Sequence, residues 1–341
     1  MLRFGSNGSY QLGLGHDEDM DVPKRAQDLD LHSHIVACGG NHTLVIDREG
    51  CLFGAGSNEQ GQLGSPVLGP SVHNFTRIDT DGLIWSLACC GWANSVLVSR
   101  ERDQVYTCGQ GTKGELGLGM GITAAGEPMQ VGQFPPEGTK VVQVASSLAH
   151  TAVLLDNGQV WGWGVARKGQ LGAQDDKVAW SPVLAYDPIG HSNAKAVTIG
   201  CGREFTAIGC DNGDIIVLGG EKAGINKVPK IDNFKQIECG WSAVHVLTKD
   251  GSVISWGNNS HGQLAQSKLQ GTHISSIGAG TEHVVALTDS GSVLCWGWGE
   301  HGNCGPNYTD GQINQLNIKG TRVFGGYATT WVFTDDWPIL S

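Results

Sequence analysis

Short apolar runs separated by polar turns recur along the chain. Residues 141–145 form one run and residues 151–155 a second; the turn Asp156-Asn157-Gly158 and a third run over residues 159–163 follow. Runs of this length, rich in Val, Leu and Trp and broken by Asn-Gly or Asp-Gly, predict β-hairpins, because those dipeptides accept the positive-φ turn that matches strand twist. The same turn chemistry returns at residues 211–213, 249–251 and 289–291. The expected units hold three or four short strands. Such a unit cannot bury both faces alone, so neighbouring units must stack.

The units repeat in sequence. Aligned on one glycine, the copies fall at Gly39, Gly91, Gly202, Gly240, Gly280 and Gly326, with Ser147 in the same place in a further copy, at intervals of 38 to 56 residues. A second signature, Gln-Leu-Gly or a close variant, follows at residues 11–13, 62–64, 115–117, 170–172, 263–264 and 303–305. The copy near residues 219–224 lacks it. The chain opens on the second half of a unit (residues 4–15) and closes on a first half (residues 322–333). Joining the two halves removes the exposed sheet edges that an open stack would have to cap. The expectation is an all-β, seven-bladed β-propeller closed by N- and C-terminal half-blades. It forms one domain over residues 1–341, with blade seven built from about residues 1–30 plus 320–341.

Composition narrows the function classes. The 341 residues include 52 Gly, which disfavours helix bundles, and no apolar run approaches the roughly 18 residues of a membrane helix. Net charge is −11 and Lys and Arg are not clustered, so direct nucleic-acid or membrane binding is not expected. Met1 leads straight into Leu2-Arg3-Phe4-Gly5 without a secretory h-region, and the ten cysteines show no Cys-x-x-Cys pair. A reducing compartment, cytoplasm or nucleus, is the expected location. The five Asn-x-Ser/Thr sites then carry no glycan meaning.

The phrases Gly-x-Asn-x-x-Gly-Gln-Leu-Gly and Cys-Gly-x-x-His-Thr, as in residues 56–64 and 38–43, resemble the regulator-of-chromosome-condensation propeller repeat over nearly the whole chain. The ends carry a narrower likeness. Residues 4–8, 11–21 with Pro23, 295–306 and 322–331 are similar to the fungal alpha-tubulin suppressor family, also called killer-toxin-insensitivity protein thirteen. That resemblance implies a non-catalytic propeller that forms a heterodimer with a small CSL-type zinc- or iron-binding electron-carrier protein. The pair would support diphthamide synthesis on elongation factor two and, with Elongator as an indirect partner, modification of the tRNA wobble uridine. The alternative is a guanine-nucleotide exchange factor for a small Ran-like GTPase.

Several residue groups invite a chemical reading. Cys38, Cys90, Cys201 and Cys239 share one repeat position, as do His42, His150 and His283. Repetition around a ring marks scaffold, so the thiols are expected to fill the crowded innermost strands and the imidazoles to hydrogen-bond turn backbone. Residues 109–114 match Gly-x-Gly-x-x-Gly, but no helix-forming sequence follows to meet a pyrophosphate. Residues 17–21 space three Asp like an EF-hand, yet Val22 stands where Gly is required. Glu300, His301 and Cys304 supply at most half a metal site. No Ser/His/Asp set or carboxylate pair stands outside the repeat, so neither an enzyme nor a cofactor is expected. Ultraviolet sensing is disfavoured because Trp92 and Trp241 are followed by Ala and Ser rather than Arg.

One departure from the repeat points to a partner surface. Trp298 and Glu300 occupy a loop whose usual Gln-Leu is replaced by Asn303-Cys304. This loop belongs to blade six and the acidic loop to blade seven; both follow the same signature strand. The expected partner-binding set is His16, Asp17, Glu18, Asp19, Asp21, Trp298, Glu300, His301, Asn303 and Cys304.

Overall fold

A computed structural model describes residues 1–26, 35–191, 193–265 and 268–334. Among these residues, seven antiparallel sheets follow one another around an axis, five with four strands and two with three. Blade one is typical: Ile35–Cys38 innermost, then His42–Ile46, Leu52–Ser57 and the outer Ser71–Ile78. Blades four and five stop at their third strands, Ile215–Gly219 and Val253–Gly257. Blade seven is built from both chain ends: Arg322–Gly325 and Thr329–Phe333 carry the inner half, Leu2–Gly5 and Met20–Arg25 the outer half. The seam is an antiparallel ladder in which Leu2 faces Val332 and Gly5 faces Thr329. The expected outer limits of blade seven, residues 27–30 and 335–341, lie outside the described residues.

The core lies between blades. The signature leucines Leu12, Leu63, Leu116 and Leu171 are all fully buried, each contributing roughly 2–3 kcal/mol of transfer free energy. Cys304 holds the same position in blade six and is also fully buried. In blade four, where the signature is lost, Ile225 fills the gap against Phe205 and Val244. Its carbonyl accepts the Trp256 indole N–H at 2.8 Å. The Glu115 and Gln263 carbonyls accept from Trp163 and Trp296 in the same way, each at 2.9 Å.

The repeated histidines clasp adjacent blades. His42 Nε2 lies 2.8 Å from Ser95 Oγ of the next blade, and that hydroxyl donates to the Gln62 carbonyl of the first blade at 2.7 Å. With its only hydrogen committed, the serine oxygen accepts, which fixes the proton on Nε2. His150 reaches Thr206, and Thr206 reaches Gln170. His283 reaches Thr330, and Thr330 reaches Asn303. The expected contact with turn backbone is therefore corrected: the imidazole meets a hydroxyl of the neighbouring blade, which relays to the loop carbonyl. Burial lowers His42 to about 3 and His150 and His283 to about 4, so the rings are neutral at pH 7. The anchor glycine makes room for the ring: a Cβ on Gly39 would sit 2.5 Å from His42 Nδ1.

Three of the repeated thiols, Cys38, Cys90 and Cys201, are buried as expected, and Cys239 is half-buried. Cys90 Sγ donates to the Ala37 carbonyl of the preceding blade at 3.5 Å, and Cys201 to Ala145 at 3.4 Å. Burial raises Cys38 to about 11 and Cys201 to about 12, so neither is a thiolate at neutral pH. The strand Val105–Gln110 leads into a turn and not a helix, which removes the dinucleotide reading of residues 109–114.

Candidate functional site

Successive strands in each blade run in opposite directions, so the loops after the first and third strands open on one face of the ring. That face carries the sequence-predicted surface. Trp298 begins the blade-six loop, its N–H donating to the Glu282 carbonyl at 2.9 Å. Its indole lies between two imidazoles, His261 of blade five at 5.5 Å and His301 of its own loop at 5.9 Å. Each imidazole is paired with a carboxylate: His261 Nδ1 with Asp310 at 3.0 Å, His301 Nδ1 with Asp19 at 2.8 Å. The second pair joins the two loops that the repeat register places side by side.

The acidic loop is shaped by its own polar groups. Asp19 Oδ1 accepts the Asn7 N–H at 2.7 Å, while the Asn7 side chain donates to the His16 carbonyl at 2.6 Å and accepts from Leu12 N. Asn58 does comparable work in blade one, donating to the Ser65 carbonyl and accepting from Leu63 N. Gly5, at φ +114°, allows the turn; a Cβ there would strike the Ala328 carbonyl. Asp17, Glu18, Asp19, Asp21 and Glu300 are exposed, and His16, Trp298 and His301 are half-buried.

Asn303 and Cys304, which the sequence suggested for the partner surface, are buried beneath the loop. They occupy the Gln-Leu positions and are 2% and 0% exposed. Asn303 Nδ2 donates to the Trp298 carbonyl at 2.8 Å, so its task is to hold the loop from below. Asp19, although exposed, is committed to Asn7 and His301. Among the described residues, no group of three His, Cys, Asp or Glu side chains is arranged to hold a metal ion.

Sequence reasoning missed several neighbours. Glu282 accepts from Ser242 Oγ and from Gln263 Nε2 at 2.7 Å, tying blades five and six beneath Trp298. Trp92, Trp241 and Tyr327 form a mutual aromatic cluster on the axis, with ring centroids 5.9–6.0 Å apart, and Arg203 stacks over Trp241 at 5.6 Å. All three aromatics directly follow an anchor glycine, which was the available signal. Trp241 and Tyr327 border an axial cavity of about 260 Å³ that is also lined by Glu238. Burial raises the Glu238 carboxyl to about 7 against the lowering effect of a hydrogen bond from Gln236.

Comparison with known proteins agrees with this architecture. A family model described as an RCC1-like domain matches residues 1–333. An RCC1 repeat-containing protein of Schizosaccharomyces pombe is 33% identical over 98% of this chain and 99% of its own length. A secretion-regulating guanine nucleotide exchange factor of Mus musculus is 30% identical over 78% of this chain, which spans 61% of that protein. Among solved structures, Prp20p from Saccharomyces cerevisiae superposes with a TM-score of 0.82 at 18% identity, covering 96% of this chain and 90% of that one. At that identity the likeness concerns the fold alone.

Proposed function

The chain belongs to the RCC1-like domain family, and on that footing we propose that it is a non-catalytic protein-docking propeller whose partner seats on the loops of blades six and seven. One observation carries the reading. The Asp19–His301 pair at 2.8 Å fuses the acidic loop and the Trp298 loop into one surface, with an aromatic ring set among carboxylates. Partly buried aromatics ringed by polar groups are typical anchors of protein interfaces. The carboxylates of Asp17, Glu18 and Glu300 steer a partner with a positive face.

The proposed partner is a small CSL-type zinc- or iron-binding electron carrier. Its support is the likeness of residues 4–8, 11–21, 295–306 and 322–331 to the alpha-tubulin suppressor family. In this reading the heterodimer works in cytoplasm and nucleus, in diphthamide synthesis and, through Elongator, in wobble-uridine modification. The propeller contributes positioning and no bond chemistry.

The experiment is capture of the purified zinc-loaded carrier by immobilised propeller. Asp17→Lys with Glu18→Lys, and separately Trp298→Ala, are expected to abolish capture while circular dichroism stays unchanged. Capture equal to the parent chain overturns the docking surface.

A second reading is nucleotide exchange on a small GTPase. The similarity to the mouse exchange factor favours it. A nucleotide-release assay with a Ran-like GTPase separates the two: accelerated release, together with failure to capture the carrier, favours exchange.

A further inference from the structure

Blade four carries an open sheet edge that the other face-forming features do not use. Its third strand, Ile215–Gly219, pairs on one side with Phe205–Cys210, Phe205 opposite Gly219 and Gly209 opposite Ile215. Among the described residues, no fourth strand pairs with the other side. Blade three provides the contrast: its third strand, Val160–Val165, is covered by Val178–Tyr186 and is almost wholly buried. In Ile215–Gly219 all five residues are half-exposed. Ile216 and Leu218 pack toward the core shared with blade three, Ile215 and Val217 toward that shared with blade five. The faces of the strand are therefore occupied and its edge is not.

The connecting chain does not substitute for the missing strand. After Gly219 and Gly220, at φ +76° and +72°, it turns away. Its backbone bonds run from Gly220 N to the Glu204 carbonyl, from Asn226 N to the Gly220 carbonyl and from Lys227 N to the Gly224 carbonyl. Among the described residues, no hydrogen bond joins residues 221–233 to the outer edge of Ile215–Gly219. Unpaired strand edges are templates for another extended chain, and proteins normally cover or guard them.

Beside the end of this strand the charge balance turns slightly positive, in a protein of net charge −11. The Lys168 carbonyl would lie 2.9 Å from a Cβ on Gly219, so the blade-three loop packs beside the Gly219 end of the strand. A cavity of about 440 Å³ opens there, lined by Arg167, Lys168, Glu204, Glu221 and Lys222, three cations against two carboxylates. Lys227 and Lys230 follow in the connecting chain.

We propose that the outer edge of Ile215–Gly219 is a second docking site, which receives an extended acidic segment of another protein as the missing fourth strand of blade four. Main-chain hydrogen bonds supply the affinity, and Arg167, Lys168 and Lys222 select carboxylates at the Gly219 end. This site is independent of the blade six and seven surface and does not rest on the carrier reading.

The test is hydrogen exchange on the full chain with the acetylated, amidated probe peptide Asp-Glu-Val-Thr-Val-Thr. Amides of residues 215–219 are expected to slow at least about fivefold at saturating peptide. A probe with both threonines replaced by proline, and one with Lys-Lys in place of Asp-Glu, are expected to leave them unchanged. Lys168→Glu with Lys222→Glu, both on exposed side chains, is expected to weaken the acidic probe about fivefold or more. No slowing, or equal slowing by the proline probe, overturns strand addition. Unchanged affinity after the double charge reversal overturns the acidic preference. Slowing that follows protein concentration without peptide assigns the edge to a second copy of this chain, and also overturns the proposal.

Discussion

Arg3 lies directly opposite Trp331 in the antiparallel ladder that closes the ring. Trp331 is fully buried, and Phe4 beside Arg3 is fully buried as well. Residues 2–5 are thus a structural strand of the last blade, paired in one sheet with residues 322–333.

Deleting residues 1–5 removes that strand and uncovers Trp331 and Val332. The expected result is a loss of several kcal/mol, because two large side chains return to water and a sheet edge opens. Urea unfolding followed by tryptophan emission checks it. An unchanged midpoint contradicts closure at this seam.

The histidine clasps make stability fall in acid. His42, His150 and His283 are buried neutral, with values lowered from 6.5 to about 3 or 4. Below pH 6.5 the unfolded chain takes up protons that the fold refuses, so stability drops as pH falls from about 6.5 toward 4. Each histidine contributes up to about 1.4 kcal/mol per pH unit in that window. His42→Asn copies Asn94, which stands at this position in blade two. It is expected to cost about 1–2 kcal/mol at pH 7 and to flatten the acid slope. Denaturant titrations at pH 7, 6 and 5 measure both effects.

Glu238 acts in the opposite sense. Its carboxyl is raised from 4.5 to about 7 by burial around the axial cavity, so the fold holds a proton that the unfolded chain releases. Stability therefore falls as pH rises from about 4.5 to 7. The side chain is half-exposed to the channel, and solvent screening reduces the effect to about 1 kcal/mol. Glu238→Gln is expected to recover that amount at pH 7.5 and nothing at pH 4.5. Equal stability of the two proteins at both pH values contradicts the shift.

Ile225 is the structural replacement for a signature leucine. Ile225→Ala is expected to cost about 2–4 kcal/mol and Ile225→Leu less than about 1.5 kcal/mol, as a cavity is costlier than a change of shape. Thermal unfolding of both variants checks the order. Equal effects contradict the packing role.

Much of this was legible along the chain. Anchor glycines, turn dipeptides and the split unit at the ends report local backbone needs, which sequence states directly. The neighbourhood of residues 17–19 and 298–301 was legible too, because register in a repeat is a coordinate in space. What stayed hidden depends on contacts between blades. The Ser95 hydroxyl that receives His42 is 53 residues away, and no local pattern marks the pair. Ile225 directly follows the break in the repeat and declares itself only by the Trp256 indole whose N–H it accepts. Asn303 and Cys304 looked like surface novelties because their residue types differ from Gln-Leu; their positions keep them buried as Gln-Leu would be. The missing fourth strand of blade four leaves no motif, only a segment too polar and too broken to be one.

Site-specific photocrosslinking tests the docking claim most directly. A photoreactive amino acid placed at Glu18, at Glu300, or at Glu49 on the opposite face is irradiated with the zinc-loaded carrier. Adducts are expected from positions 18 and 300 and none from 49. Adducts from 49 alone contradict the docking claim.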